Sequence, residues 1–310
     1  MRNVFANEIT SLAASDKRIV LLSGDIGNRL FDDLKRVAPT RFYNCGVAEA
    51  NMTGVAAGMA MMGLRPITYT ITPFGTTRCL EQIRNDVCYH NLPVIIAGTG
   101  SGLSYAELGP THHSCEDIAI LRTLPNISVI CPCDPIEVRC ALRAAMQHEG
   151  PIYLRLGKKG EPALHKTTPE FKIGRAINMR EGSDICLLST GSTMVLSLGV
   201  ADVLASRGIG TRVESVHTVK PIDDILLEEL ACRYRLVVTI EEHSLIGGLG
   251  SAVAEWFSDR DSRDTRLLRY GTADRFLETV GSQEYARTYY GLECNRIVDE
   301  VYAAFGEGAR

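Results

Sequence analysis

The sequence predicts an α/β protein of two domains, each a mostly parallel sheet flanked by helices. Three observations carry this expectation. Short β-branched runs alternate with stretches of helical periodicity, the pattern of parallel α/β architecture. The length, 310 residues, suits about two domains. Apolar content falls between Gly157 and Asp184, where Lys158, Lys159, Pro162, Lys166 and Pro169 cluster, as expected of an interdomain connection. The expected division is a first domain over 1–160, a linker over 161–184 and a second domain over 185–310.

In the first domain the apolar, β-branched runs place strands at Arg18–Ser23, Ile67–Ile71, Val94–Ala97, Ser128–Ile130 and Ile152–Leu154. Helical spacing between them places helices at Ala48–Met62, Thr77–Tyr89 and Pro135–Gln147. The second domain repeats the alternation, with strands at Ile185–Ser189, Thr211–Ser215, Leu236–Glu241 and Arg266–Arg269. Its helices fall near Thr193–Ser206 and Gly250–Ser258, and Gly208 after Arg207 suits a helix C-terminus.

Composition removes several classes of function. An apolar content of 45% is ordinary for a globular protein, and a net charge of −4 is too small for electrostatic binding of nucleic acid or membranes. The apolar runs fall short of the roughly 20 residues needed to span a bilayer. Residues Met1 to Thr10 lack a signal-peptide core. Ten scattered cysteines then point to a reducing cytoplasm. The tight pair Cys131-Pro-Cys133 has no second pair at zinc spacing, so it reads as strand-end packing and no metal site is expected.

Glu49 is the most informative residue. It heads Cys45–Ala60, an apolar stretch rich in Gly and Ala where an ionised side chain is costly to bury and a flat ligand can come close. Such an acid suits hydrogen bonding to a ring nitrogen; a helix-opening acid among small packing residues is the alternative. Phe74, just past a strand end, stands where parallel sheets place ligands and can stack on a heterocycle. The Gly-rich segment Gly98–Ser114 carries Ser101, Ser104, Tyr105, Thr111, His112 and His113, enough donors for a polyol or phosphate. Arg155, Lys158 and Lys159 follow a strand and suit an anionic substrate. Gly24-Asp-Ile-Gly-Asn28 lacks both the dinucleotide fingerprint and a Walker lysine. Glu241–Ser251 lacks His-Glu-x-x-His spacing and reads as a structural turn or a subunit contact.

In this order the segments resemble the C-terminal part of a transketolase over nearly the whole chain. Gly46-Val47-Ala48-Glu49-Ala50-Asn51 resembles that family's catalytic glutamate segment, and Phe74–Arg84 resembles the segment whose aromatic stacks on the thiamine pyrimidine. Gly109-Pro110-Thr111-His112 resembles the substrate-side histidine loop, and Glu241–Gly250 resembles the start of the C-terminal domain helix.

The resemblance implies a pyrimidine-binding domain followed by a transketolase C-terminal domain. It also implies thiamine diphosphate as cofactor, with Glu49 on its pyrimidine and Phe74 stacked upon it. Two-carbon ketol transfer between sugars or sugar phosphates is the implied reaction, with His112 acting on substrate hydroxyls. Ser101 and Lys158 are the further substrate contacts.

The family's diphosphate-binding domain is not represented here. A separate N-terminal transketolase subunit is therefore expected to bind the diphosphate and Mg2+, in an α2β2 heterotetramer. Leu108 replaces a usual aspartate and Gly100 a usual histidine, which points to an unusual sugar. The rival readings are the β subunit of a 2-oxoacid dehydrogenase E1 component, which would acylate lipoyl lysine, and a non-catalytic partner subunit. Deoxyxylulose-phosphate synthase is a relative normally built as one long chain.

Overall fold

The computed structural model describes residues 1–27, 29–158, 160–260 and 265–307. In chain order the strands of its first part are β1 (Ile19–Ser23), β2 (Phe42–Asn44), β3 (Arg65–Ile71), β4 (Ile95–Thr99), β5 (Ser128–Ile130) and β6 (Ile152–Leu156). The later strands are β7 (Ile177–Arg180), β8 (Ile185–Ser189), β9 (Thr211–Ser215), β10 (Thr218–Lys220), β11 (Leu236–Ser244) and β12 (Arg266–Thr272).

Two sheets result, of order β10-β5-β6-β4-β3-β1-β2 and β12-β11-β8-β9-β7. All pairings are parallel except those of β10 with β5 and of β7 with β9. Every residue of β1, β4, β5, β6, β8 and β9 is buried. Helices cover both faces of such strands, so they read as continuous apolar runs rather than alternations.

Three strands lie outside the sequence expectation. β2 and β10 have three residues each, too few to show a period. β7 forms inside the span 161–184 expected as a linker, and edges the second sheet with only partial burial. An edge strand needs one apolar side, so its composition stays loop-like. At the N-terminus, the helix Arg2–Ser15 buries Phe5, Ala6, Ile9 and Ala13. Phe5 stacks on Tyr69 of β3 at 5.3 Å between ring centroids.

The helix expected over Thr77–Tyr89 is replaced by a 3-10 turn Thr77–Cys79, an α-turn Leu80–Gln82 and a π turn Ile83–Cys88. Cys79, Ile83, Val87 and Cys88 are all buried. A π turn brings residues five apart together, which sets Cys88 on the same inward side as Ile83.

Candidate functional site

Glu49 opens the helix Glu49–Met61 just after β2, and its side chain is only 1% exposed. Thr70 of β3 donates its hydroxyl to Oε1 at 3.2 Å, and Arg78 donates Nη1 to Oε2 at 2.6 Å. Gly24 closes the other side. A Cβ there would lie 2.8 Å from Thr70 Oγ1 and 3.1 Å from Glu49 Cγ. One carboxylate oxygen is therefore fixed from within, and the other meets a cation that is itself 45% exposed.

Phe74 lies in the turn Thr72–Gly75 after β3, half-buried. The Arg78 guanidinium carbon sits 4.5 Å from its ring centroid, and the His112 ring meets it edge-on at 5.2 Å. Glu49, Arg78, Phe74 and His112 thus form one contiguous row. Sequence reasoning left Arg78 without a role. The available signal was its place only four residues after Phe74, although the two lie on successive turns, Thr72–Gly75 and Thr77–Cys79.

His112 belongs to a loop pinned at its base by an antiparallel bridge between Gly102 and Ser114. Thr111 Oγ1 lies 3.0 Å from His112 Nδ1. Gly100 has φ +74°, and a Cβ on it would lie 1.9 Å from the Tyr105 ring. Tyr105 therefore fills the space that a side chain at position 100 would need. Lys158 Nζ sits 4.6 Å over the same ring and pairs with Glu107. Through Tyr105, whose ring is 6.2 Å from that of His112, Lys158 joins the row. Ser101 is instead buried at the loop base, with its backbone bonded to Leu156 and Ser104. Lys159 lies outside the described residues.

Arg155 is not available to a substrate. It is 2% exposed and ion-paired with Asp117 at 2.7 Å, and it donates also to the carbonyls of Ser114 and Glu242. Burial alone pushes the Asp117 carboxyl up, but the Arg155 charge beside it brings it below its usual value. Glu242 of β11 accepts from Leu103 N at 2.6 Å and from Arg287 Nε at 2.5 Å, tying the loop to the second sheet. The turn after β11 is structural. Glu241 accepts from Leu249 N and Gly250 N at the start of the helix Leu249–Ser258, and burial pushes its carboxyl up to about 7.

Cys131 and Cys133 are both buried just beyond β5. Cys133, Glu137 and His165 bring one ligand atom each within 4.8 Å of one another. Both Glu137 oxygens are engaged, Oε2 by Cys133 N at 2.7 Å and Oε1 by His165 Nε2 at 3.0 Å, so the group is a satisfied polar cluster as it stands.

The family model described as transketolase, pyrimidine binding domain, matches residues 1–161, and that described as transketolase, C-terminal domain, matches 174–297. The chain belongs to the transketolase family. Among transketolase relatives, the 6-deoxy-6-sulfo-D-fructose transketolase subunit SqwH of Clostridium sp. (strain MSTE9) is 38% identical over 301 residues, 96% of this chain and 92% of that protein. An apulose-4-phosphate transketolase subunit of Actinobacillus succinogenes is 36% identical over 261 residues, 84% of each. A solved structure described as a split gene transketolase, inactive beta4 tetramer, is 36% identical with a TM-score of 0.90 and covers 98% of both chains. Transketolase-family relatives are thiamine diphosphate-dependent transferases.

Proposed function

We propose that this chain is the C-terminal subunit of a split transketolase, transferring a two-carbon ketol unit between sugars that bear a terminal anion. The observation that carries the reading is the Glu49 carboxylate, buried except toward a half-exposed cation and set beside the half-buried Phe74 ring. That donor set fits a planar ring with a basic nitrogen. Gly24 keeps the wall behind the carboxylate free of side-chain atoms, since a Cβ there would crowd both Thr70 and Glu49.

When bound, thiamine diphosphate supplies the carbon nucleophile and the electron sink. Glu49 holds a proton against the pyrimidine N1′, and Thr70 fixes its other oxygen. Phe74 offers the stacking face. His112 orients or protonates substrate hydroxyls, a role suited to imidazole near neutral pH. Lys158, over the Tyr105 ring and paired with Glu107, offers a cation to a sugar's anionic end, with Ser101 in a supporting place at the loop base. The relatives' names support the anion, since one acts on a sulfo sugar and another on a phosphate. Both also favour ketol transfer over the 2-oxoacid dehydrogenase reading.

The diphosphate and Mg2+ fall to a partner, the N-terminal transketolase subunit, in a cytoplasmic α2β2 assembly, and the chain's two domains part within 161–184, ahead of β7. An exposed stripe of Asn51, Val55, Gly58 and Met62 along the Glu49 helix supports such a contact, because an open glycine lets another backbone approach. The inactive β-only tetramer of the solved relative supports dependence on a partner.

The test is calorimetric binding of thiamine diphosphate with Mg2+. The reconstituted complex should bind and turn over, and the chain alone should bind negligibly. Glu49→Gln in the complex should assemble normally and lose turnover by at least about a hundredfold. Wild-type turnover in that variant would end the reading.

A further inference from the structure

We propose that Arg78 is a built-in stand-in for the cofactor's aminopyrimidine, holding its place on Glu49 and Phe74 until the cofactor displaces it. The inference rests on the function proposed above. A guanidinium is a flat, delocalised group that both stacks on aromatic faces and donates to carboxylates. Arg78 does both at once, at 2.6 Å from Glu49 Oε2 and 4.5 Å from the Phe74 centroid. Those are the two contacts that a pyrimidine ring would need from this chain, so ring and guanidinium cannot occupy the place together.

The partners are unequally held. Glu49 is 1% exposed and braced by Thr70, whereas Arg78 is 45% exposed on the short turn Thr77–Cys79. Arg78 is therefore the member that can leave, and its charge is readily hydrated once it does. Its presence has a clear purpose in the free chain. A carboxylate buried this deeply is costly without a countercharge. The same cation covers the oxygen that must face the ring nitrogen, so Glu49 can share a proton with the ring only after Arg78 has swung away. Loading then exchanges one planar cation for one planar base, and the arginine acts as an internal competitor.

The experiment measures thiamine diphosphate affinity and association rate, by calorimetry and stopped-flow fluorescence, in the reconstituted complex. Arg78→Ala should lower the dissociation constant at least threefold and speed association. Arg78→Lys keeps the charge without the flat stacking face and should shift both in the same direction by less. Native mass spectrometry and melting temperature establish that each variant is assembled, and the lysine variant carries the test if the alanine variant does not fold. Normal wild-type binding with unchanged or weaker binding in the variants overturns this inference alone. A wild-type complex that does not bind the cofactor overturns both this inference and the function on which it rests.

Discussion

Arg155 and Arg78 carry the same charge with opposite consequences. Arg155 is wholly enclosed and Asp117 is its countercharge, so removing the carboxylate strands a buried cation. Asp117→Ala should lower the stability of the chain by about 3–5 kcal/mol in chemical denaturation. A loss below about 1 kcal/mol would mean that the pair is hydrated and that Arg155 remains open to anions. The sequence suggests a substrate contact at Arg155 because it follows a strand end. Its partner lies on another element, a separation that linear spacing does not reveal. Glu49 was legible for the opposite reason: a lone acid among Gly and Ala conflicts with its surroundings, and such conflicts concentrate at functional positions.

At the scale of elements, the loop from Gly100 to Ser114 contains three glycines of positive φ, and two of them have side chains pressed against them. Gly100 has φ +74° with the Tyr105 ring against it, and Gly102 has φ +60° with Glu242 Oε1 2.5 Å from where a Cβ would stand. Gly100→Ala should drive Tyr105 off its seat and destabilise the loop by about 1–3 kcal/mol. Limited proteolysis within 100–114 checks this, and wild-type resistance would count against the packing described. The loop was recognisable as functional from its length and donors. Its attachment to β11 through Glu242 was not, because that bond joins segments from separate domains. The buried strands were readable as apolar runs, whereas the turns from Thr77 to Cys88 deceived by their helical spacing.

At the scale of the molecule, the two sheets meet at a polar seam containing His243. Ala119 N–H donates to its Nε2 at 3.2 Å, and its Nδ1 lies 2.8 Å from the Ser244 carbonyl, so the neutral ring satisfies both contacts. Burial lowers His243 to about 4, beside Asp117 and Arg155. The unfolded chain, titrating near 6.5, takes up that proton first, so the contribution of His243 is intact above about pH 6.5 and is lost as pH falls toward about 4. Glu241, raised to about 7, works partly against this, because the folded state binds its proton first. His217, lowered by burial to about 4, adds to the loss. Chemical denaturation should show the protein losing stability between pH 7 and 5. His243→Gln should reduce the loss over that interval by up to roughly 2 kcal/mol. An unchanged pH slope in that variant would show that the ring is not held neutral.

The antiparallel strand β10 ties the halves together in another way. After β9 completes its place in the second sheet, the chain crosses to lie against β5, with Thr218 opposite Ile130 and Cys131 N–H bonded to the His217 carbonyl. During synthesis on the ribosome, the N-terminal sheet must wait with one border bare until residues from the far side of the linker emerge. A nascent chain halted before Thr218 would expose that border, which is a ready template for sticking to its neighbours.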